Sequence, residues 1–231
     1  VKERAAYPSK LVALFLGVTA VALLSHSPVT VLQAAESNFK PVIEERVVRV
    51  VDESTGRTVG EITRPAGVVR EVFALNNGTV LAISQKDFTQ FFDLKSRKQI
   101  RNLDKRIYTF DRSGNSAIAY TSDHDLVLVS YPSFRERIIA SAQHGGPSAV
   151  LFSPESEYVA VQFCNRYPLS DAEYPNPVLE KTLYWVKLYD LENREQVTEV
   201  KDFFLGSFSA DSRFYTTGDG RKLNLGTRKF Q

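Results

Sequence analysis

Apolar and polar positions alternate in short runs along this chain, and the runs recur as a phrase: an aromatic, a tight polar turn, then a second alternating run. The phrase reads VFALNNGTVLAIS from Val72, YTFDRSGNSAIAY from Tyr108, VLFSPESEYVAVQ from Val150 and SFSADSRFYTTG from Ser207. A period of two puts successive side chains on opposite faces of a pleated strand, so each phrase predicts two strands and the turn between them. The first turn holds Asn77-Gly78, a pair that tolerates positive φ and marks a hairpin. The same reading predicts strands over 72–75, 80–84, 89–94 and 99–103, then 107–110, 116–120, 126–131 and 137–140, then 149–152, 158–163 and 182–190, and last 205–209, 214–217 and 222–225. Residues 46–64 add two β-branched runs around Asp52 to Gly56, and no helical period competes after residue 40.

The anchoring aromatics are Phe73, Phe110, Phe152 and Phe208, at steps of 37, 42 and 56 residues, the last step lengthened by an insertion. Self-similarity at about 40–50 residues, with short strands in each unit, marks a β-propeller, because a single four-stranded blade cannot bury both its faces alone. The expected fold is therefore all-β, a β-propeller with units at about 46–64, 69–103, 107–141, 148–200 and 204–231. The first unit is an outer half and the last is incomplete, which gives about four blades if the two ends pair. Either the terminal halves share a blade in a closed ring, or the chain is a truncated, open arc whose unpaired edges invite self-association.

Ahead of this body, Lys2, Arg4 and Lys10 precede fourteen uncharged residues, 11–24, LVALFLGVTAVALL. That is the length of a secretory apolar region and falls short of the ~20 residues a spanning helix needs. Ala34 and Ala35 offer cleavage positions, although Leu32 and Gln33 stand where a small residue is usual. Residues 1–35 are expected to be a cleaved signal peptide or a retained membrane anchor, with a merely buried segment as the third reading, and the first two place the body in the periplasm, outside the cell or at the membrane. Residues 36–45 read as a linker, and 46–231 as the propeller domain. No methionine occurs, so Val1 is either an alternative start read literally or the first residue of a fragment.

Composition narrows the partners. Fifteen Phe and ten Tyr suit half-buried strands, and beyond the first ten residues 26 basic groups face 26 acidic ones. A balanced body offers no electrostatic footprint for nucleic acid. Cys164 is the single cysteine, which excludes an internal disulfide, and its apolar run VAVQFC reads as a small buried hydrophobe.

The stretch AQHGGPSAVLFSPESEYVAV, followed past the insertion by WVKLYDLENREQVTEV, resembles a WD-repeat unit. His144-Gly145 precede its first strand, Ser153-Pro154 stand in its first turn, and Tyr189-Asp190 stand where that family places its Trp-Asp pair. Phe92-Asp93 and Val51-Asp52 match the same place, so the resemblance covers about residues 46–225. It implies structural roles for His144, Asp93 and Asp190, with the family's His–Asp network expected only in the fourth unit, since no other holds His-Gly. A wider class of exported, lactonase-like propellers is similar as well, and would imply a divalent ion held by carboxylates in the channel.

No nucleophile with an adjacent base, no grouped metal ligands and no G-x-S-x-G elbow are legible, so no catalytic residue, metal site or cofactor is expected. Asp93, Glu155, Asp190 and Asp211 read as turn caps, and His124 as a hairpin tip. The insertion, NRYPLSDAEYPNPVLEK, is the candidate binding element. Pro168, Pro175 and Pro177 make it a long loop, and Tyr167, Tyr174, Pro175 and Trp185 would form an aromatic projection at the channel mouth. The expected function is that of an exported or anchored protein–protein interaction scaffold that binds a protein or a cell-envelope component. The alternatives are a lactonase-like enzyme, a small-ligand or metal-binding propeller, and the sensor portion of a larger envelope protein.

Overall fold

The computed structural model describes residues 38–141, 145–168, 180–201 and 204–231, with backbone alone at 165–168, 180–183 and the short strand Thr30–Val31. These residues hold twenty strands and no helix. After β1 (Thr30–Val31) come β2 (Phe39–Ile43), β3 (Val47–Asp52) and β4 (Arg57–Thr63), a three-stranded antiparallel sheet. The second sheet is β5 (Glu71–Leu75), β6 (Val80–Ser84), β7 (Thr89–Asp93) and β8 (Lys98–Leu103), with β1 added in parallel to β5. The third is β9 (Arg106–Phe110), β10 (Ser116–Tyr120), β11 (Leu126–Ser130) and β12 (Arg135–Ala140). The fourth is β13 (Gly146–Phe152), β14 (Tyr158–Pro168), β15 (Glu180–Asp190) and β16 (Glu195–Val200). The fifth is β17 (Ser207–Phe208), β18 (Phe214–Thr216), β19 (Lys222–Asn224) and β20 (Lys229–Phe230).

One turn chemistry repeats between the first two strands of the last three sheets. The residue after the anchoring aromatic, Asp111, Ser153 or Ser209, accepts a hydrogen bond through its side-chain oxygen from the amide five residues on, at 3.1, 3.0 and 3.0 Å. Three residues into each turn the chain passes through positive φ, at Gly114, Ser156 and Ser212. The recurring polar turn is thus a local device for satisfying amides that leave the ladder.

A second device closes the last two strands of four of the sheets onto each other. Asp52, Asp93, Asp190 and Asn224 accept from the amides of Ser54, Ser96, Asn193 and Thr227 at 2.9, 2.7, 2.9 and 2.8 Å. Four residues after each of these caps φ is positive, at Gly56, Arg97, Arg194 and Arg228. The side chains and amides of Ser54 and Ser96 hold the Asp52 and Asp93 carboxyls below the usual carboxylate range. At Asp190 burial pushes upward, yet the bonds from Asn193 and Glu192 and the charge of Arg228, 3.6 Å away, hold it low as well. A lowered pKa stabilises the fold above the unfolded value of about 4 and loses that contribution as pH falls. Asp190→Ala is expected to cost about 1–2 kcal/mol at neutral pH and much less near about pH 2. Urea titrations at both pH values check this, and equal losses would show that the carboxylate charge has no part in the cap.

Two prolines lie inside strands, and hydrogen-bond phase explains both. Glu44 N–H donates to Val47 O, so along β2 the even-numbered residues face β3 and Pro41 turns its nitrogen away from it. Leu191 N–H donates to Glu157 O, so along β14 the odd-numbered residues face β15, and Pro168, opposite Glu180, likewise turns away. A proline at such a position removes no ladder bond. Part of the expected linker is therefore a strand, β2, and both flanks of the expected long loop are paired strands, β14 and β15, out to Pro168 and Glu180.

Four apolar cores lie between chain-adjacent sheets. Val48, Val50 and Ile62 pack on Val72, Leu81 and Ile83, and Phe73 and Phe91 pack on Ile107 and Phe110. Ile118 and Leu126 pack on Val161 and Phe163, and Val186 and Leu188 pack on Tyr215 and Leu223. Among the described residues no core joins the first sheet to the fifth. The Phe73 and Phe110 rings meet edge to face at 5.0 Å, Phe208 meets Tyr215 in the same way at 5.0 Å, and Phe152 lies half-buried beside the third core.

Candidate functional site

Antiparallel strands reverse direction at every turn, so the connections β6–β7, β10–β11 and β14–β15 and those between consecutive sheets emerge on one face. The aspartate-capped turns lie on the other. The fourth sheet extends out of the first face. β14 and β15 remain paired over eleven positions, whereas β13 leaves β14 at Gly146↔Cys164 and β16 leaves β15 at Val200↔Val186. The ladder thus projects as a two-stranded arm.

Around the base of the arm a polar row crosses three sheets. The Arg106 guanidinium forms a two-pronged pair with the Glu71 carboxylate, with Nε at 3.0 Å from Oε2 and Nη2 on Oε1. Glu71 and Arg106 are the first residues of β5 and β9, so the pair joins the second sheet to the third. Arg106 also lies over the Tyr108 ring, 4.2 Å from its centroid. The Tyr120 hydroxyl donates to Gly145 O at 2.8 Å and sits 3.2 Å from His124 Nδ1, joining the third sheet to the fourth. Gly145 has φ +79°, and a Cβ there would stand 2.5 Å from Cys164 O, so the close approach needs glycine.

Burial dominates the electrostatics. Glu71 is 6% exposed, and desolvation pushes its carboxyl up against the pull of Arg106. Burial likewise raises Tyr108, and Tyr120 is pushed up to about 12 by burial together with Tyr108 and Asp125. Both hydroxyls stay protonated at neutral pH, Tyr120 donating to Gly145 O and Tyr108 accepting from Arg106 Nη1 at 3.4 Å.

Of the residues singled out in the sequence, Trp185 is half-buried beside the third core with its ring stacked on Phe163 at 6.2 Å. Tyr167 lies on β14 opposite Lys181, its side chain outside the described set, and Tyr174, Pro175 and His144 lie wholly outside the described residues, as do residues 1–29. Asp93 and Asp190 cap turns on the opposite face. Cys164 is free and half-buried near Tyr108. Among the described residues no group of three or more His, Cys, Asp or Glu is placed to hold a metal ion, and no helix is long and apolar enough to cross a membrane. Two hollows, of about 380 and 400 Å³, lie on the turn face, away from the arm, and are lined by Asn77, Ser113, Tyr131, Asp111 and Glu155 among others. The Glu71–Arg106 pair escaped the sequence reading. Its available signal was a charged residue opening two successive, otherwise apolar inner strands.

No family model matches the sequence, and no curated protein does. Solved structures do. The chain is similar to the Kuenenia stuttgartiensis hydrazine synthase, with TM-score 0.54 at 13% identity over 84% of this chain and 64% of that one. It is similar also to the β-propeller domain of Myceliophteria thermophila Cps50 (Swd1), with TM-score 0.52 at 11% identity over 84% of this chain and 66% of that one. The fold is a β-propeller. At these identities the likeness concerns the fold alone, and the chain spans less than two thirds of the length of either neighbour.

Proposed function

We propose that this chain is an exported or membrane-anchored, WD-repeat-like propeller that binds another protein or a cell-envelope component through its arm-bearing face. The observation that carries the reading is the eleven-position β14–β15 ladder, which stands out from a face braced by Glu71–Arg106 and Tyr120–Gly145. Recognition elements on rigid scaffolds spend little entropy on ordering when a partner arrives. In this reading the five sheets are consecutive blades of an open arc, in keeping with four cores and no fifth among the described residues. The apolar segment 11–24 directs the body out of the cytoplasm.

Removing residues 167–177 tests the reading. The shortened protein should keep the thermal midpoint of the full chain within about 3 °C, since the four cores are untouched, and should lose the partners that chemical crosslinking of the full chain recovers in intact cells. Unchanged crosslinks would overturn it. A reporter that is active only outside the cytoplasm, fused after residue 45, tests the export arm separately.

A further inference from the structure

The four-residue turn between β5 and β6 is stitched at its base and open at its tip. Thr79 donates through both its N–H and its Oγ1 to Asn76 O, at 3.2 and 2.7 Å, and its Oγ1 accepts from Asn76 Nδ2 at 3.0 Å. Between them stand Asn77 and Gly78, both at positive φ, +52° and +75°. Asn77 is exposed, and among the described residues neither its side-chain amide nor the Gly78 N–H has a hydrogen-bond partner. The Phe39 ring lies against Gly78, so close that a Cβ there would stand 2.7 Å from it. No other asparagine with a described side chain combines a following glycine with an unengaged amide. Asn76, Asn102 and Asn193 donate through Nδ2 to Thr79, Asp104 and Asp190, and Asn224 Oδ1 accepts from the Thr227 N–H. Asn115 is followed by Ser116, whose N–H is held by Asp111 Oδ1 at 3.1 Å, and Asn38 is followed by the bulky Phe39.

We infer that the Asn77-Gly78 tip is a site of spontaneous covalent modification, at which the Gly78 nitrogen closes on the Asn77 side-chain carbonyl and ammonia is released. Glycine favours the attack because no side chain shields its nitrogen. An N–H without an acceptor also gives up no hydrogen bond when it leaves the plane of the turn. Once its proton has passed to a solvent base, the Gly78 nitrogen bonds to Asn77 Cγ. The Cγ–Nδ2 bond breaks, Nδ2 leaves with a proton returned from solvent as ammonia, and a cyclic imide remains. Water then opens the ring. Cleavage between the nitrogen and Cγ leaves aspartate, whereas cleavage between the nitrogen and the Asn77 backbone carbonyl leaves isoaspartate, whose main chain is longer by a CH₂ group. Water enters, ammonia leaves and no electron is transferred. Added length at the tip pushes Gly78 against Phe39, which packs on the core between the first and second sheets, so the isoaspartyl form holds the first sheet less firmly. The turn lies on the face opposite the arm, and the inference is independent of the partner-binding proposal.

Peptide mass mapping of the full chain, aged at body temperature in mildly acidic and in mildly alkaline buffer, tests the site. Asn77 should convert to the acid at least several-fold faster than Asn115 or Asn38, and faster in the alkaline sample, because the attacking nitrogen must first lose its proton. Conversion at Asn77 no faster than at Asn115, or a rate indifferent to pH, would overturn it. A parallel sample unfolded in urea separates the fold from the local sequence. Native conversion should run within several-fold of the unfolded rate, and a folded turn that suppresses it more strongly would also overturn the inference. The consequence is read in urea midpoints, which should fall as the isoaspartyl fraction grows. Freshly prepared Asn77→Asp should keep the wild-type midpoint, since aspartate tolerates the same positive φ and adds a charge but no length. A midpoint that stays constant as isoaspartate accumulates, or an Asn77→Asp variant as unstable as the aged protein, would refute the loosened first sheet.

Discussion

Arg106→Met should destabilise the protein by about 3–5 kcal/mol at neutral pH, because it leaves the buried Glu71 carboxylate without its counter-charge. The Arg106 side chain is 23% exposed and that of Glu71 8%, so water replaces little of what the guanidinium supplied. The sign with pH follows from the raised Glu71 pKa. A carboxyl whose folded pKa lies above its unfolded value favours the fold at low pH and loses that contribution as pH rises through the folded value. Without Arg106 the folded value rises further, so the variant should recover part of its stability as pH falls from about 8 towards about 5. Glu71→Gln combined with Arg106→Met should regain most of the loss, since a neutral amide costs far less to bury than an ion. Urea unfolding of the single and double variants at two pH values measures all three terms. A single variant as stable as the wild type would mean that solvent reaches Glu71 freely.

Phe91→Ala should cost about as much, about 3–5 kcal/mol. The Phe91 ring is fully buried between the second and third sheets. It stacks on Tyr131 at 6.0 Å and meets Phe134 edge-on at 4.9 Å, both in the connection between β11 and β12. Phe134 holds φ +54° there, a conformation uncommon for an aromatic residue, and Phe91 supplies much of the contact that fixes it. Phe91→Leu should recover more than half of the loss, because a branched aliphatic side chain fills most of the space. Denaturant midpoints at constant slope check the pair. Equal losses in both variants would point to the ring contacts rather than to volume.

Strands and turns were legible in the sequence because each is a local matter. Alternation placed β6 at Val80–Ser84 and β10 at Ser116–Tyr120, and the strands lie there. The caps at Asp93 and Asp190 follow from an aspartate set between a strand and a polar turn, which needs no knowledge of the rest of the chain. What escaped depends on phase or on distant register. Pro168 read as a breaker and Pro41 fell in an expected linker, since a proline's harm depends on which way its missing N–H would have pointed, and only the paired register decides that. Glu71 and Arg106 stand 35 residues apart and meet because two inner strands start level across a sheet interface. Trp185 looked like part of a projection, but its alternation along β15 turns it onto Phe163.

The arrangement of the four cores has a consequence for how the molecule comes apart. Each inner sheet is gripped from both sides, whereas the first and the fifth are held from one side only among the described residues. Where sheets meet only through such shared cores, cohesion is a sum over neighbouring contacts. Detaching an end sheet forfeits one core, while dislodging an inner sheet forfeits two. The fifth, with strands of only two or three residues and a single described core, is expected to exchange its backbone amides faster than the inner sheets, which native-state hydrogen exchange measures.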